Sequence, residues 1–167
     1  MELLLMNVKW LNDYLADADK VALAIQGLTR NQMVRVPPAN LNIGLWSIQQ
    51  IVMHISDADQ TLADRMKRVI AEDNPILQAY DESLWIKNLH YDELSPADAA
   101  EIVRLVRKQM HRILVKLTPD AFSRCGTHSE MGKKTLEDLV VGAVKHLRHH
   151  LEFIEKKKGW LCQHNDA

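Results

Sequence analysis

Four segments of this chain place apolar residues at alternating steps of three and four, and three of the four begin at a side chain able to cap a helix. That spacing puts the apolar side chains on one stripe of an α-helix, the pattern of a helix packed in a bundle. In the first segment, residues 2–28, the stripe is Leu4, Val8, Leu11, Leu15, Ala18, Ala22 and Ile25. Pro37-Pro38 and Gly44 then break it. The second segment opens at Ser47, with Gln50 three residues on as a capping box and Trp46 and Ile51 at the staple positions. Its stripe is Ile51, Ile55, Ala58, Leu62, Met66 and Val69, closed by Asn74-Pro75. The third opens at Ser95-Pro96, a cap followed by proline at the first helical position, and Thr118-Pro119 stops it. Its expected buried face is Ile102, Val106, Met110, Ile113 and Leu117. The fourth opens at Thr135 with Asp138, and Lys156-Lys157-Lys158-Gly159 is expected to close it.

Between these helices, Leu84, Trp85, Ile86 and Leu89 are consistent with a short helical segment lying across the bundle. Cys125–Gly132 falls in a loop long enough to be a functional candidate. Six glycines and five prolines in 167 residues, roughly half the average share, argue against a many-turned sandwich or barrel. The expected architecture is all-α: one domain, residues 1–167, folded as an antiparallel four-helix bundle.

Charge excludes several functions. Twenty-one basic and 22 acidic side chains leave a net charge of −1, so no global field would draw in nucleic acid. The run Arg104, Arg107, Lys108 and Arg112 reads as a solvated helix face. No apolar stretch is long enough to span a membrane, and Met1–Met6 lacks the basic flank and length of a signal peptide. Two cysteines, Cys125 and Cys162, suit a reducing compartment, and the expected address is the cytoplasm.

The chemical signal is histidine: eight in all, three of them within residues 146–150. On a wheel at about 100° per residue centred on Ala143, His150 falls about 20° from the middle of the apolar stripe and His146 about 60°. His149 lies about 120° off, toward the polar edge. His146 and His150, at i and i+4, therefore aim two imidazoles at one point inside the bundle. His54 on the second helix offers a third. Three imidazoles with an open fourth position form a site for a borderline divalent ion such as zinc or nickel. The bland alternative is hydrogen-bonded core histidines; burying two imidazoles without partners is costly, so carboxylate partners would then be required. A Glu-x-x-His di-iron pattern, a His-Glu-x-x-His protease helix, a phosphate loop and a nucleophile elbow are all missing from the sequence. Trp46 and Trp85 read as anchors rather than stacking platforms, and nothing marks Cys125 as an activated thiol.

Trp46-Ser47-Ile48-x-x-Ile51-x-x-His54-x-x-Asp57 resembles the second-helix signature of the DinB/YfiT-like superfamily. His128-Ser129-Glu130-x-Gly132-x-x-Thr135-Leu136 is similar to the loop before that family's last helix, and His146-x-x-x-His150 to its paired ligands. The resemblance covers residues 5–157. It implies an up-down-down-up four-helix bundle, commonly a homodimer, with a divalent metal held by His54, His146 and His150. It also implies a metal-dependent enzyme, a transferase using a low-molecular-weight thiol or a hydrolase. The alternative is a non-catalytic, stress-associated metal-binding module. His128, Glu130 and His149 are neighbours whose part in the site the sequence leaves open; a fourth protein ligand among them would argue against catalysis.

Overall fold

A computed structural model describes residues 2–164, with side chains described from Lys9 onward. The elements in chain order are α1 (Glu2–Ala16), α2 (Lys20–Ile25), α3 (Arg30–Val34), α4 (Ile48–Ala71), β1 (Ile76–Leu77), α5 (Glu82–Asn88), α6 (Pro96–Leu114), β2 (Cys125–His128), β3 (Gly132–Thr135) and α7 (Leu136–Gln163). The caps form as the sequence predicts. Ser47 and Thr135 each accept from the backbone N–H three residues on, and the Gln50 and Asp138 side chains accept in return. Ser95 caps α6 through the Asp98 N–H, with Pro96 in the first turn.

Side-chain pairings set the topology. Lys145 reaches the ring of Trp10 and Arg148 reaches Asp17, so α1 and α7 run in the same direction. Gln49 donates to the carbonyls of Tyr91 and Leu94, just ahead of α6, and Asp59 meets Arg107, so α4 and α6 are also parallel. His54 faces His146 and His150, whereas Asp59 shares Arg107 with the Ala143 carbonyl, so α4 and α7 are antiparallel. The bundle is therefore up-down-down-up. Because α4 and α6 point the same way, residues 72–95 must travel back along the bundle, and this crossover forms one wall of the site.

The core divides at a polar layer. One apolar cluster holds Met66, Met110, Leu114 and Val140, and the other holds Ile51, Ile55, Val103 and Leu147. Between them lie Asp59 and Arg107, both with fully buried side chains. The Arg107 guanidinium donates to both Asp59 carboxylate oxygens and, through Nη2, to the Ala143 carbonyl at 3.0 Å, and it lies 4.7 Å over the Tyr14 ring. Asp17, buried beside them, is held by Arg148.

Several expectations are corrected. The first helix breaks at residues 17–19, where the Asp17 carboxylate is held by Arg148 and the backbone tightens to three-residue steps. Beyond the break Val21 and Ala24 are buried, while Ala22 is exposed; Leu4 and Val8 lie outside the described side chains. On α6 the buried face is Ala99, Ala100, Val103, Arg107, Met110 and Leu114, so Arg107 leaves the basic face and Ile102 lies on the surface. The helix ends at Leu114, ahead of Thr118-Pro119. α7 continues through Gly159 to Gln163, and Lys157 is buried with its Nζ donating to the Gly44 carbonyl at 2.8 Å.

The loop after α6 carries most of a small three-stranded sheet: β1 runs parallel to β2 with Leu77 opposite His128, and β2 pairs antiparallel to β3 with His128 opposite Gly132. Gly126 permits the close approach, since a Cβ there would stand 2.8 Å from the Pro75 carbonyl oxygen. Both cysteines are free. No helix among the described residues is long and apolar enough to cross a membrane.

Candidate metal centre

His54 lies two turns into α4, and His146 and His150 lie one turn apart on α7. The antiparallel packing brings their side chains together over the polar layer. His146 Nε2 stands 3.0 Å from His54 Nε2 and 3.2 Å from His150 Nε2, and one ligand atom from each ring falls within 4.8 Å of the others. Bonds of 2.0–2.1 Å to a tetrahedral ion would separate two nitrogens by about 3.3 Å. An imidazole nitrogen carries either a proton or a lone pair, so His146 Nε2 cannot satisfy both neighbours with well-formed hydrogen bonds. A cation accepting all three lone pairs removes that conflict, and the donor set fits one.

The surroundings keep the rings neutral. Burial pushes the His54 pKa down to about 4 and, with its imidazole neighbours, the His150 pKa to about 3; His146 is lowered too, chiefly by burial. Neutral imidazoles are the form that binds metal. Trp46 closes one side, with its ring nearly parallel to His150 at 6.2 Å and tilted against His54 at 5.1 Å. On the other side the centre faces a cavity of about 320 Å³, lined by His54, His146, Tyr80, Glu82, His128 and Arg65 among others. Glu82 Oε2 is 3.8 Å from His54 Nε2. His150 contributes instead to a smaller cleft of about 210 Å³ with Trp46, Phe153 and Lys157.

The neighbours left open by the sequence take distinct places. His128 is buried and lines the cavity, but its Nδ1 accepts from the backbone N–H groups of Glu130 and Met131 at 3.2 and 3.3 Å. The neutral ring then carries its proton on Nε2 and offers no lone pair to a cation. His149 is exposed and packs edge-on against His150 and Phe153. Glu130 stands exposed at the cavity rim. Among the described residues the candidate ligand set is His54, His146 and His150 alone. Asp57, in the His54 motif, accepts from the Tyr91 hydroxyl, and burial raises its pKa. Sequence reasoning missed Glu82, Tyr80 and Arg65. Glu82 and Tyr80 sit in the crossover, which has no helical period, and Arg65 has no signal apart from its burial.

The chain is similar to known proteins in sequence and in fold. A family model described as the DinB superfamily matches residues 13–154. A protein of Oceanobacillus iheyensis is 28% identical over 70% of this chain and 69% of its own length. One of Halalkalibacterium halodurans is 28% identical over 66% of this chain and 64% of its own length. YfiT of Bacillus subtilis is 24% identical over 91% of this chain and 85% of its own length. All three bear the name "putative metal-dependent hydrolase". The chain thus spans between 64% and 85% of these relatives. The solved structure of YfiT, described as having an unusual four-helix bundle topology, superposes with a TM-score of 0.85 at 22% identity, covering 93% of this chain and 87% of that one.

Proposed function

The chain belongs to the DinB superfamily, and on that premise we propose that it is a metal-dependent hydrolase whose divalent ion is held by the Nε2 atoms of His54, His146 and His150. The observation that carries this reading is the convergence of those three nitrogens, two pairs of them 3.0 and 3.2 Å apart, beside an open cavity. Three neutral nitrogen donors suit zinc or nickel. The relatives' names support hydrolysis as the reaction class.

An ion held by His54, His146 and His150 would supply Lewis-acid chemistry, polarising a carbonyl and acidifying water. The chain's own residues supply the rest. Burial favours the neutral form of all three imidazoles, so each has a lone pair that the Nε2–H-free tautomer can offer to the centre. Trp46 packs against both His54 and His150 and holds the two rings in place. Glu82 is placed to accept a proton at Oε2, on the cavity side of His54, and its exposure lets it pass the proton to solvent. His128 presents an Nε2–H donor toward the same cavity.

The test is to strip the protein with a chelator, reload it with zinc or nickel, and assay a panel of small esters and amides, with and without a low-molecular-weight thiol. Metal-dependent hydrolysis lost in His146→Ala supports the reading. Turnover only with the thiol present would assign transferase chemistry instead, and metal binding without turnover would assign a non-catalytic module.

A further inference from the structure

Two arginines are buried among the described residues, and only one makes an ion pair. Arg107 is neutralised by Asp59. Arg65, on α4, is 9% exposed, and among the described residues no carboxylate pairs with it. Its Nη2 donates to the Gln78 carbonyl at 2.5 Å, and its Nε is buried with no partner. A guanidinium withdrawn from water without an anion is costly, and buried charges are ordinarily paired.

Arg65 lines the same cavity as His54 and His146. It also lines an adjoining cavity of about 680 Å³ with Tyr80, Gln78 and Trp85, so the two spaces meet at its side chain. It is three turns along α4 from His54, at the far end of the space that opens from the histidines. Arg68, also on the adjoining cavity, is by contrast engaged by Asp64 and Glu72. Glu82 lines the cavity beside His54 and disfavours further negative charge there, whereas Asp64 and Glu130 act on Arg65 through space without forming an ion pair with it. The arrangement selects a ligand that is neutral at the histidine end and anionic at the other.

We propose that Arg65 is the anion subsite of this centre, taking a single terminal carboxylate of a small substrate whose reacting group lies at His54 and His146. The guanidinium keeps a permanent positive charge, and a carboxylate is the small anion that hydrogen-bonds it most directly. The assignment of the reacting group rests on the hydrolase reading above; the carboxylate subsite does not require the metal.

The test uses 4-acetamidobutanoate and its neutral isostere 4-acetamidobutanamide, titrated calorimetrically against the metal-free and zinc-loaded chain. The wild-type metal-free protein is expected to bind the carboxylate at least about tenfold more tightly than the amide. Arg65→Gln should abolish that preference, and Arg65→Lys should weaken it several-fold. Equal binding of the two probes by the wild type, or a preference unchanged in Arg65→Gln, overturns the proposal. Should Arg65→Gln fail to fold, a preference unchanged in Arg65→Lys overturns it equally. Absence of zinc binding would defeat the hydrolase reading while leaving the metal-free comparison decisive for Arg65.

Discussion

Arg107 and Asp59 meet across the centre of the bundle, with the guanidinium donating to both carboxylate oxygens and, at 3.0 Å, to the Ala143 carbonyl one turn before His146. The pair forms the floor beneath the histidines and ties α4, α6 and α7 at one level. Removing one partner strands a buried charge, so Arg107→Met should cost about 3–5 kcal/mol in urea unfolding. The double variant Arg107→Met/Asp59→Leu should recover most of that loss. A double variant as unstable as the single one would show that the pair is not the cause.

Gly126 holds the crossover to the hairpin. An added Cβ would stand 2.8 Å from the Pro75 carbonyl and 3.0 Å from Leu77 Cγ. Gly126→Ala should therefore cost about 1–3 kcal/mol and loosen β1 from β2. Amide exchange read at Thr127 and Ser129, whose N–H groups donate to Pro75 and Leu77, should accelerate. Unchanged exchange would show that the backbone approach is less tight than the geometry requires.

Lys157 makes stability depend on pH. It is 1% exposed, and burial pulls its ammonium pKa down from 10.5 to about 8. Between those values the unfolded chain holds a proton that the folded chain has released, so stability rises with pH across the window. The slope is at most about 1.4 kcal/mol per pH unit. Lys157→Met should lack this rise between pH 8 and 9.5, a window in which any tyrosine ionisation is common to both proteins. Identical slopes for the two proteins would contradict it.

Glu82 separates catalysis from metal binding. It stands 3.8 Å from His54 Nε2 but outside the three-histidine set. Glu82→Gln should lower metal-dependent turnover about 10²–10⁴-fold while leaving metal affinity nearly unchanged. A parallel loss of metal would make Glu82 a ligand rather than a proton acceptor.

Much of this was readable in the residues, for definite physical reasons. Ser47, Ser95 and Thr135 announce helix starts because capping is a local interaction within three residues. Helical periodicity turns His146 and His150 inward and sets His54 at the edge of its stripe, and the resemblance to the DinB/YfiT-like motifs groups the three. Arg107 and Lys157 were misplaced by the same logic: periodicity assigns charge to the surface, and their partners, Asp59 and Gly44, are 48 and 113 positions away. The strands Cys125–His128 and Gly132–Thr135 read CGTH and GKKT, too short and polar to show a period of two. Glu82 owes its place to the parallel course of α4 and α6, which sends the crossover past the histidines.

The central claim is that His54, His146 and His150 hold one divalent ion. The direct measurement is metal content by elemental analysis after reloading with zinc or nickel, for the wild type and for His54→Ala, His146→Ala, His150→Ala and His149→Ala, each checked for folding by circular dichroism. One ion per chain is expected in the wild type and in His149→Ala, with at least a tenfold loss of affinity in each of the other three. A folded wild-type protein that takes up no divalent ion at micromolar concentration, or triad variants that retain it, would contradict the account.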